Sequence, residues 1–500
     1  MVDTVASKQP EPMVDPQFNL RRFVDRFYWL FFALSMGLLI FLCFYNLGET
    51  YLVSSDEGQH GVNAYEMIKN GNYIANTYNG NLDYWNLKPP LSFYFIMLGY
   101  RIFGYNAWGL RFFSAVAYVL LVIIVAMFLK KKFNCFASLI SIWLFSGCYI
   151  FFLCHFVRHG DPDSLFILFI GVGLIALYLS KDNHRWLYLT GLMIALAFLT
   201  KSYHALIMLP IIFFYLIFTN GFKRIKWYEY FTIPAVTLAP ILIWAIARIC
   251  FDGWQFIDQM LVYDVFQRST TAIEGHKEHI FFFLPFILVY DQISVLCLVL
   301  LIWTVLRKIF TKQKLSAIEK LTLISVVCFY FLYSIVKTKL EWYIFPTIVP
   351  LVIFSAVKIS MIWQNSHSLD YLKRAVCCIF LVLVACLVGY STFLVITART
   401  EDELQDFIAY ELPIDNTASY YFQDTENDCE MERAELLVFE WRTNQYLQLG
   451  GVEAFAKTNE SAYLIVEITD EIDRSSLASQ WLIKISTNEK YAIYYHAARD

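Results

Sequence analysis

Long apolar runs, separated by short polar stretches, dominate the chain from Tyr28 to about residue 397. Many of them are about twenty residues long, the length that an α-helix needs to cross the hydrocarbon core of a bilayer. The pattern therefore predicts a mainly α, polytopic membrane protein. We predict eleven transmembrane helices, near residues 28–47, 107–128, 135–155, 164–180, 186–200, 204–219, 230–250, 281–306, 318–336, 342–363 and 374–397.

Clusters of lysine and arginine predict how these helices are oriented. They precede the first helix and follow the second, sixth and eighth, so all of them lie on one side of the membrane. Short loops rich in these residues face the cytoplasm. We therefore expect residues 1–27 in the cytoplasm and residues beyond Arg399 outside. The first helix lacks a small-residue cleavage site, so it should remain in the inner or plasma membrane as a signal anchor.

Two long loops, 48–106 and 251–280, are expected on the outer side of a membrane domain at 28–399. In the first loop, residues 57–70 have helical spacing, and residues 91–103 are apolar but too short to span a bilayer. A helix lying in the membrane interface fits the second segment, and an ordinary short core helix is the alternative.

The composition changes sharply after residue 400. Residues 401–500 contain 21 acidic and 7 basic side chains and no run that could span a membrane. Residues 463–468 and 491–495 alternate in the way that is typical of strands. We predict a small α/β extracytoplasmic domain at 400–500, whose acidity indicates a solvated surface rather than a binding site.

The overall composition agrees with a membrane protein and limits its chemistry. Hydrophobic residues make up 58% of the chain and charged residues 16%, whereas soluble proteins carry about 25% charged residues. Of the 11 cysteines, only Cys429 lies away from the apolar helices, so no disulfide framework is expected. The sequence has no zinc spacing, phosphate-binding loop, dinucleotide fingerprint or nucleophile elbow, and we expect no nucleic-acid partner.

Ionisable side chains gather where the predicted helices end on the outer side. Charges at membrane depth are costly and usually mark a functional cavity, although a simple loop charge explains any single one equally well. Their joint placement is more informative, because carboxylates that could accept a proton lie with cations that could bind a phosphate. This predicts transfer chemistry on a lipid phosphate. The candidates are Asp56, Glu57, Lys88, Arg158, Asp161, Asp163, Lys201, Arg268, His276, Lys339 and Tyr343.

Many of these residues lie in motifs whose order resembles that of C-type membrane glycosyltransferases. More narrowly, the chain resembles the protein O-mannosyltransferase superfamily, which includes the aminoarabinose transferases of lipid A. The matches extend from residue 56 to about residue 350. They are Asp56-Glu57, Tyr65 to Met67 (one residue tighter than in the family), Gly71-Asn72, Lys88-Pro89-Pro90, Phe103-Gly104, Arg111 to Ser114, Leu199-Thr200-Lys201, Gly275-His276-Lys277 before Phe281 to Pro285, and Lys337-Thr338-Lys339-Leu340 before Tyr343 and Pro346.

The resemblance implies a polyprenyl-phosphate-linked sugar as donor and an inverting transfer on the extracytoplasmic face. A lipid-phosphate leaving group needs cations, which Lys88, Lys201, Arg268 and Lys339 could supply beside Tyr343. The acceptor hydroxyl needs a base, as in other inverting sugar chemistry.

By analogy we assign that base to Asp56. Glu57 either orients the acceptor or starts the following helix as a cap. Asp161 matches the second acidic site, with Asp163 as the alternative, and Arg158 and His276 are further possible contacts.

One departure from the aminoarabinose transferases concerns metal binding. Those enzymes tend to have a metal-binding glutamate directly before the Lys-Pro motif, where this chain has Leu87, and their histidine upstream of the Arg268 region is also missing. His276 alone would make a poor metal site, because a closed site needs about four ligands. We therefore expect no cofactor and no essential metal.

The acceptor stays open. The compact tail resembles the layout of aminoarabinose transferases and favours lipid A or another envelope glycan or lipid, while serine and threonine of exported proteins are the alternative. A lipid-sugar flippase would also have buried charges, but it would more often show repeated or broken helices and charges spread in depth. An inactive relative would be suggested by loss of Asp56 or Lys88, and both are present.

Overall fold

Helices make up most of the computed structural model, which describes residues 20–53, 56–153, 155–267, 278–364, 371–424, 429–468 and 482–498. Most of segment 1–27, and the candidates Arg268 and His276 with part of the second outer loop, lie outside the described residues. Before residue 400 the helices are α1 Leu20–Arg26, α2 Tyr28–Phe44, α3 Asp56–Lys69, α4 Leu91–Phe103, α5 Ala107–Lys132, α6 Cys135–Ser146, α7 Ile150–Leu153, α8 Asp163–Leu179, α9 Trp186–Lys201, α10 Met208–Phe218, α11 Glu229–Asp252, α12 Gln255–Gln259, α13 Phe283–Tyr290, α14 Gln292–Phe310, α15 Ala317–Ile335, α16 Ile348–Gln364 and α17 Tyr371–Ile396, with 3₁₀ segments at Ser202–Ile207, Gly221–Arg224 and Glu341–Thr347 and a π-helical stretch at Met260–Gln267.

Seven segments of the described chain are long and apolar enough to cross a membrane. They are Ala107–Lys132, Trp186–Phe218, Glu229–Asp252, Gln292–Phe310, Ala317–Ile335, Glu341–Gln364 and Tyr371–Ile396. Shorter apolar helices include α2, α6 and α8. The predicted polytopic, mainly α architecture is confirmed, whereas the count of eleven spans stays a prediction.

Local breaks explain why several predicted helices are divided. The predicted helix near 281–306 is interrupted at Asp291, whose carboxylate accepts a hydrogen bond from the Ser294 amide at 3.0 Å and starts a new helix. The helix predicted near 135–155 ends at Ser146, before Gly147, and resumes for only one turn at α7. Apolar periodicity cannot reveal such breaks, because both halves remain apolar.

The chain reverses direction after Lys201. Ser202 has a positive φ of 57° at the end of α9. Leu187 and Leu216 line the same cavity of about 330 Å³, together with side chains of α11. A straight helix would place them roughly 43 Å apart at 1.5 Å per residue. The sequence interpretation of a hairpin at Lys201 therefore fits the structure.

Contacts between loops define two ends of the helical bundle. At one end, Lys132 Nζ lies 2.9 Å from Asp182 Oδ2, and the positive charges of Lys181 and Arg224 act on the same carboxylate. At the other end, Gly160 donates a backbone hydrogen bond to Glu57 Oε1, and Lys201 contacts Asp163. We call these the basic end and the acidic end. Which of them faces the cytoplasm stays a prediction.

Cysteine labelling tests this orientation. A cysteine introduced at Ser461 should react with an impermeant maleimide in intact cells, or in spheroplasts if an outer membrane is present. One introduced at Lys131, at the basic end, should react only after lysis. Labelling of the unsubstituted protein serves as the control for the native cysteines. The reverse pattern of labelling would overturn the predicted topology.

The first outer loop contains the helix that the sequence predicted. The expected helix at 57–70 is confirmed as α3, and every residue from Glu57 to Met67 in it is buried in spite of its polar composition. The segment 91–103 is the helix α4, with Leu98 and Ile102 exposed on one face; its place in the membrane interface stays a prediction. Strands β1 (Thr77–Tyr78) and β2 (Asn81–Leu82) form a hairpin between the two helices.

A small mixed sheet lies near the C-terminus. Strands β3 (Ser419–Gln423) and β4 (Ala462–Glu467) are parallel. Strand β6 (Tyr491–His496) pairs antiparallel with β4 and with β5 (Ile483–Thr487), giving the order β3-β4-β6-β5. The strands predicted at 463–468 and 491–495 are confirmed. Apolar side chains on one face of the sheet share a buried cluster with α3 and α4, so a continuous core joins the tail to the first loop. Elements of the tail are α18 Glu403–Glu411, β3 Ser419–Gln423, α19 Arg433–Thr443, α20 Gly451–Lys457, β4 Ala462–Glu467, β5 Ile483–Thr487 and β6 Tyr491–His496.

Candidate active site

Asp56 is the first residue of α3 and is half-buried at the acidic end. Burial alone would raise the pKa of its carboxyl group, but nearby positive charges, among them those of His155, Lys88 and Lys201, hold the pKa below its ordinary value. The residue is therefore a carboxylate at neutral pH. A half-buried carboxylate among cations is suited to accepting a hydrogen bond from a hydroxyl group.

Glu57, one residue further on, is fully buried and engaged on both oxygens. Arg111 donates to it from Nε at 2.6 Å and from Nη2 at 2.8 Å. The backbone amides of Val53 and Gly160 donate to the same carboxylate at 3.0 and 2.9 Å. Burial would raise the pKa of Glu57, but Arg111 lowers it to about 2. This residue fixes the start of α3 to α5 and to the turn at 160.

Asp161 and His155 form a buried pair beside Asp56. His155 Nδ1 lies 3.2 Å from Asp161 Oδ2, and Asp161 Oδ1 has no hydrogen-bond partner among the described residues. Burial raises the pKa of Asp161 to about 6. Burial would lower the pKa of His155, but Asp161 raises it to about 9. The ring of His155 also stacks on Trp342, with 3.9 Å between the centroids.

These residues include a group that could hold a metal ion. One ligand atom from each of Asp56, His155 and Asp161 lies within 4.8 Å of the others. Two carboxylates and an imidazole suit a divalent cation with mixed oxygen and nitrogen ligands, such as Mn²⁺ or Zn²⁺. The sequence prediction of no essential metal was based on Leu87 and His276, and it did not take His155 into account.

Lys201 and Asp163 make a second ion pair at the same end. Lys201 Nζ lies 2.5 Å from Asp163 Oδ1, with both side chains about 5% exposed. The ammonium group is 5.9 Å from the centroid of the Tyr343 ring. Tyr343 packs against His204 and Tyr333, with centroids 4.8 and 5.2 Å apart. An ammonium has three donors, so Lys201 keeps bonding capacity beyond its carboxylate partner.

Lys88 is half-buried and follows a loop that α3 holds in place. Asp83, 4% exposed, accepts hydrogen bonds from Gln59 and Asn63 of α3 at 2.5 and 2.9 Å. Its other oxygen accepts the backbone amides of Trp85 and Asn86. The charge of Lys88 also reaches Asp56. One network of hydrogen bonds therefore joins α3, which begins at Asp56, to the loop that leads to Lys88.

The remaining candidates lie nearby or have other contacts. Lys339 donates to the carbonyl groups of Val336 and Glu278 at 2.7 and 3.1 Å. Arg158 is buried and donates to the Leu42 carbonyl at 3.1 Å, while its Nη2 has no hydrogen-bond partner among the described residues. Within the described part of the chain, neither of them forms a hydrogen bond or an ion pair with Asp56.

Several residues of this end were not singled out from the sequence. His60 is buried one turn after Asp56, and its Nδ1 lies 2.8 Å from the Asp56 carbonyl oxygen. His155 is a lone histidine at the end of an apolar run, where a core role is the ordinary interpretation. Asp83 lies in a loop without a recognisable motif. Only the spacing of Asp56 and His60, four residues apart on a predicted helix, could have drawn attention to His60.

Part of the chain matches known sequences. Residues 87–244 match the family described as dolichyl-phosphate-mannose-protein mannosyltransferase. An uncharacterised protein of Aquifex aeolicus is 29% identical over 360 residues, 69% of this chain and 66% of that protein. The undecaprenyl phosphate-alpha-4-amino-4-deoxy-L-arabinose arabinosyl transferase 2 of Pseudomonas fluorescens is 26% identical over 342 residues, 64% of this chain and 58% of that enzyme. The matched region thus spans less than two thirds of each relative.

Solved structures share the fold over most of the chain. ArnT from Cupriavidus metallidurans, bound to undecaprenyl phosphate, superimposes with a TM-score of 0.68 and 16% identity, covering 94% of this chain and 98% of that one. The archaeal oligosaccharyltransferase AglB from Archaeoglobus fulgidus, in complex with an inhibitory peptide and a dolichol-phosphate, gives 0.52 and 12%, covering 89% and 70%. At these identities the likeness concerns the fold.

Proposed function

We propose a function for this chain on the basis of its relatives, the membrane glycosyltransferases of the protein O-mannosyltransferase and aminoarabinose transferase superfamily. The motifs predicted this resemblance, and the comparisons confirm it. It transfers a sugar from a polyprenyl-phosphate donor to an acceptor hydroxyl, with inversion at the sugar carbon, on the extracytoplasmic side of the membrane. The observation that carries the proposal is the carboxylate of Asp56 beside the charges of Lys88 and Lys201 at one end of the bundle.

Asp56 acts as the base in this reaction. The acceptor oxygen forms a bond to the anomeric carbon of the sugar, the bond from that carbon to the phosphate oxygen breaks, and Asp56 takes the acceptor proton. The phosphate leaves as an anion and needs no proton donor. Since Glu57 uses both oxygens within the protein, we assign it a positioning role at the start of α3 rather than contact with the acceptor.

Cations stabilise the phosphate as its charge increases. Lys88 and Lys201 are the principal candidates because both charges act on Asp56, which places them within reach of a donor bound beside it. Tyr343 lies next to Lys201 and could donate its hydroxyl. Lys339, Arg158, Arg268 and His276 stay predictions as donor contacts.

Asp56, His155 and Asp161 could additionally hold a divalent cation, which would supply positive charge near the leaving phosphate oxygen. A carboxylate has two oxygens, so Asp56 could serve such an ion and an acceptor hydroxyl together. Asp161 would remain ionised beside the cation, and Trp342 would keep the His155 ring in place by stacking.

The proposed acceptor class is based on the order of the domains and on how far the similarity in fold extends along the chain. The similarity in fold to ArnT extends over 94% of the chain, including the tail, and this favours lipid A or another envelope glycan or lipid as acceptor. Transfer to serine or threonine of exported proteins is the second candidate, which the match of residues 87–244 to the protein mannosyltransferase family favours. Mass spectrometry of envelope lipids and glycoproteins from a deletion strain would distinguish the two.

The variants Lys88→Ala and Lys201→Ala should weaken the use of the donor more than that of the acceptor. Each removes a charge-assisted contact to the lipid phosphate, so the KM for the donor should rise by about tenfold or more. Steady-state kinetics with both substrates varied measures this. Lys320→Ala, at the basic end, is the matched control. If only the KM for the acceptor rose, Lys88 and Lys201 would contact the acceptor rather than the donor phosphate.

Chelation tests the metal group. Dialysis of the purified protein against EDTA should lower transfer by about tenfold or more, and Mn²⁺ or Zn²⁺ should restore it. His155→Ala should bind less of the ion, measured by metal analysis of the dialysed protein. An unchanged rate after complete removal of metal would instead support the sequence prediction that no metal is essential.

A further inference from the structure

We propose that the C-terminal domain is a positioning element of the active site: helix α19 docks on a glycine face of α3 and thereby sets the location of Asp56. This rests on the proposed function, in which Asp56 is the base. It adds that residues of the tail, above all Leu437, determine the rate of the chemical step without touching either substrate.

The contact between α3 and α19 depends on two glycines. Gly58 and Gly61 lie three residues apart and therefore on the same face of α3. A Cβ atom on Gly58 would lie 2.6 Å from the backbone nitrogen of Ala434. A Cβ atom on Gly61 would lie 2.2 Å from Leu437 Cδ2. The backbone of α19 lies against Gly58, so the two helices can approach this closely only because position 58 carries no side chain, while the end of the Leu437 side chain fills the space at Gly61.

Hydrogen bonds extend the same contact beyond the glycines. Tyr65, on the glycine face, donates its hydroxyl to Asn444 Oδ1 at 2.7 Å. Asn79, in the turn of the hairpin, exchanges two hydrogen bonds of 2.9 Å with the backbone of Leu447. The tail therefore holds α3 and the hairpin that follows it.

The segment before α3 is held in the same way. Gln405 of α18 accepts from the Leu52 amide at 2.9 Å and donates to the Leu52 carbonyl at 3.0 Å. Asp56 lies four residues after Leu52 and two residues before Gly58, so the tail anchors the chain on both sides of it. A displacement of α19 must move Asp56 or strain these contacts.

The membrane domain fixes the other half of the site independently. Lys201 lies on α9 and Asp163 on α8, and their ion pair contains no atom of the tail. Movement of α3 would therefore shift the base relative to a phosphate held by Lys201. Reaction rates are sensitive to such shifts, and a misplacement of about 1 Å can cost on the order of a hundredfold. The expected signature is a fall in kcat with little change in the KM for the donor.

A compensating pair of substitutions tests this. Gly61→Ala should lower kcat by about tenfold, because the new methyl group displaces the buried end of Leu437, through which α19 packs on this part of α3. Leu437→Ala loosens the contact from the other side and should give a smaller fall. In the double variant the shortened side chain at 437 makes room for the methyl group, and kcat should return to within about threefold of the unsubstituted protein. Gly37→Ala in α2, where a Cβ meets nothing within 4 Å, is the control.

The outcomes separate a positioning role from a merely structural one. Recovery of kcat in the double variant, at unchanged donor KM, supports the proposal. A folded Gly61→Ala protein with normal kcat overturns it, as does a folded double variant that recovers thermal stability but not kcat. If Gly61→Ala does not accumulate, Leu437→Ala alone decides, since a normal kcat there overturns the proposal. Failure of the proposed function itself would show separately, as normal turnover in Asp56→Asn.

Discussion

Replacing Asp56 with asparagine should reduce sugar transfer by about a hundredfold or more. Asparagine keeps the size of the side chain and its place at the start of α3, but it cannot take the acceptor proton. The positive charges of Lys88 and Lys201 stay in place beside this position. Acceptor and donor should therefore still bind while the bond-forming step slows. The measurement is single-turnover transfer by purified protein with saturating donor.

A matched substitution at the opposite end of the bundle controls for general effects. Asp182 is half-exposed and contacts Lys132 at the basic end, so Asp182→Asn removes an acidic group without approaching the site. It should transfer sugar at the normal rate. Near-normal turnover in folded Asp56→Asn would show that another group takes the proton, with Asp161 as the first alternative.

The second large effect concerns stability. Arg111→Met should destabilise the protein by about 3–5 kcal/mol, because it leaves the carboxylate of Glu57 buried without its charge partner. Both side chains are 1% exposed. The guanidinium also donates to the carbonyl groups of Leu47, Thr50 and Tyr51, so the link between α2 and α3 should loosen as well. Thermal unfolding in detergent measures the change.

The double variant Arg111→Met with Glu57→Gln separates charge from packing. Once the buried charge is removed, part of the lost stability should return. Lys457→Met, which breaks an exposed pair with Glu453, should change stability by less than about 1 kcal/mol. An Arg111→Met protein as stable as the unsubstituted one would contradict the structural role assigned to this pair.

The membrane helices could be predicted from the sequence because their signal is local. Each predicted span is a mostly apolar run of suitable length, and a helix that crosses the hydrocarbon core requires little more than that. The breaks at Gly147 and Asp291 were not predicted from the apolar pattern, because the segments on both sides of each break are apolar; the only local signals are the glycine itself and Asp291, a residue type that favours a helix start. The turn at Asn79-Gly80 was predictable and was missed: Asn-Gly favours a two-residue hairpin, and both residues have positive φ values, 45° and 78°.

The candidate site could be predicted only in part, for a related reason. Asp56, Lys88 and Lys201 were found through motifs, which identify residues without showing what they contact. The partners of α3 lie far away in sequence: Arg111 belongs to α5 and Asn444 to the tail. His155 carried no motif at all. Its importance comes from being folded between Asp161 and Trp342.

The core shared by the first loop and the tail also sets the order in which the protein can mature. Tyr65 and its partner Asn444 are 379 residues apart, and β6, the last strand, completes the sheet that packs with α3. During synthesis α3 emerges after the first helix and can pack against α5 and the loop at Asp83, but its glycine face stays uncovered until α19 has been made. Contacts of such separation form late in folding. A nascent chain that stops before α19 therefore carries every motif of the first loop but lacks the contacts by which the tail holds α3 and Asp56.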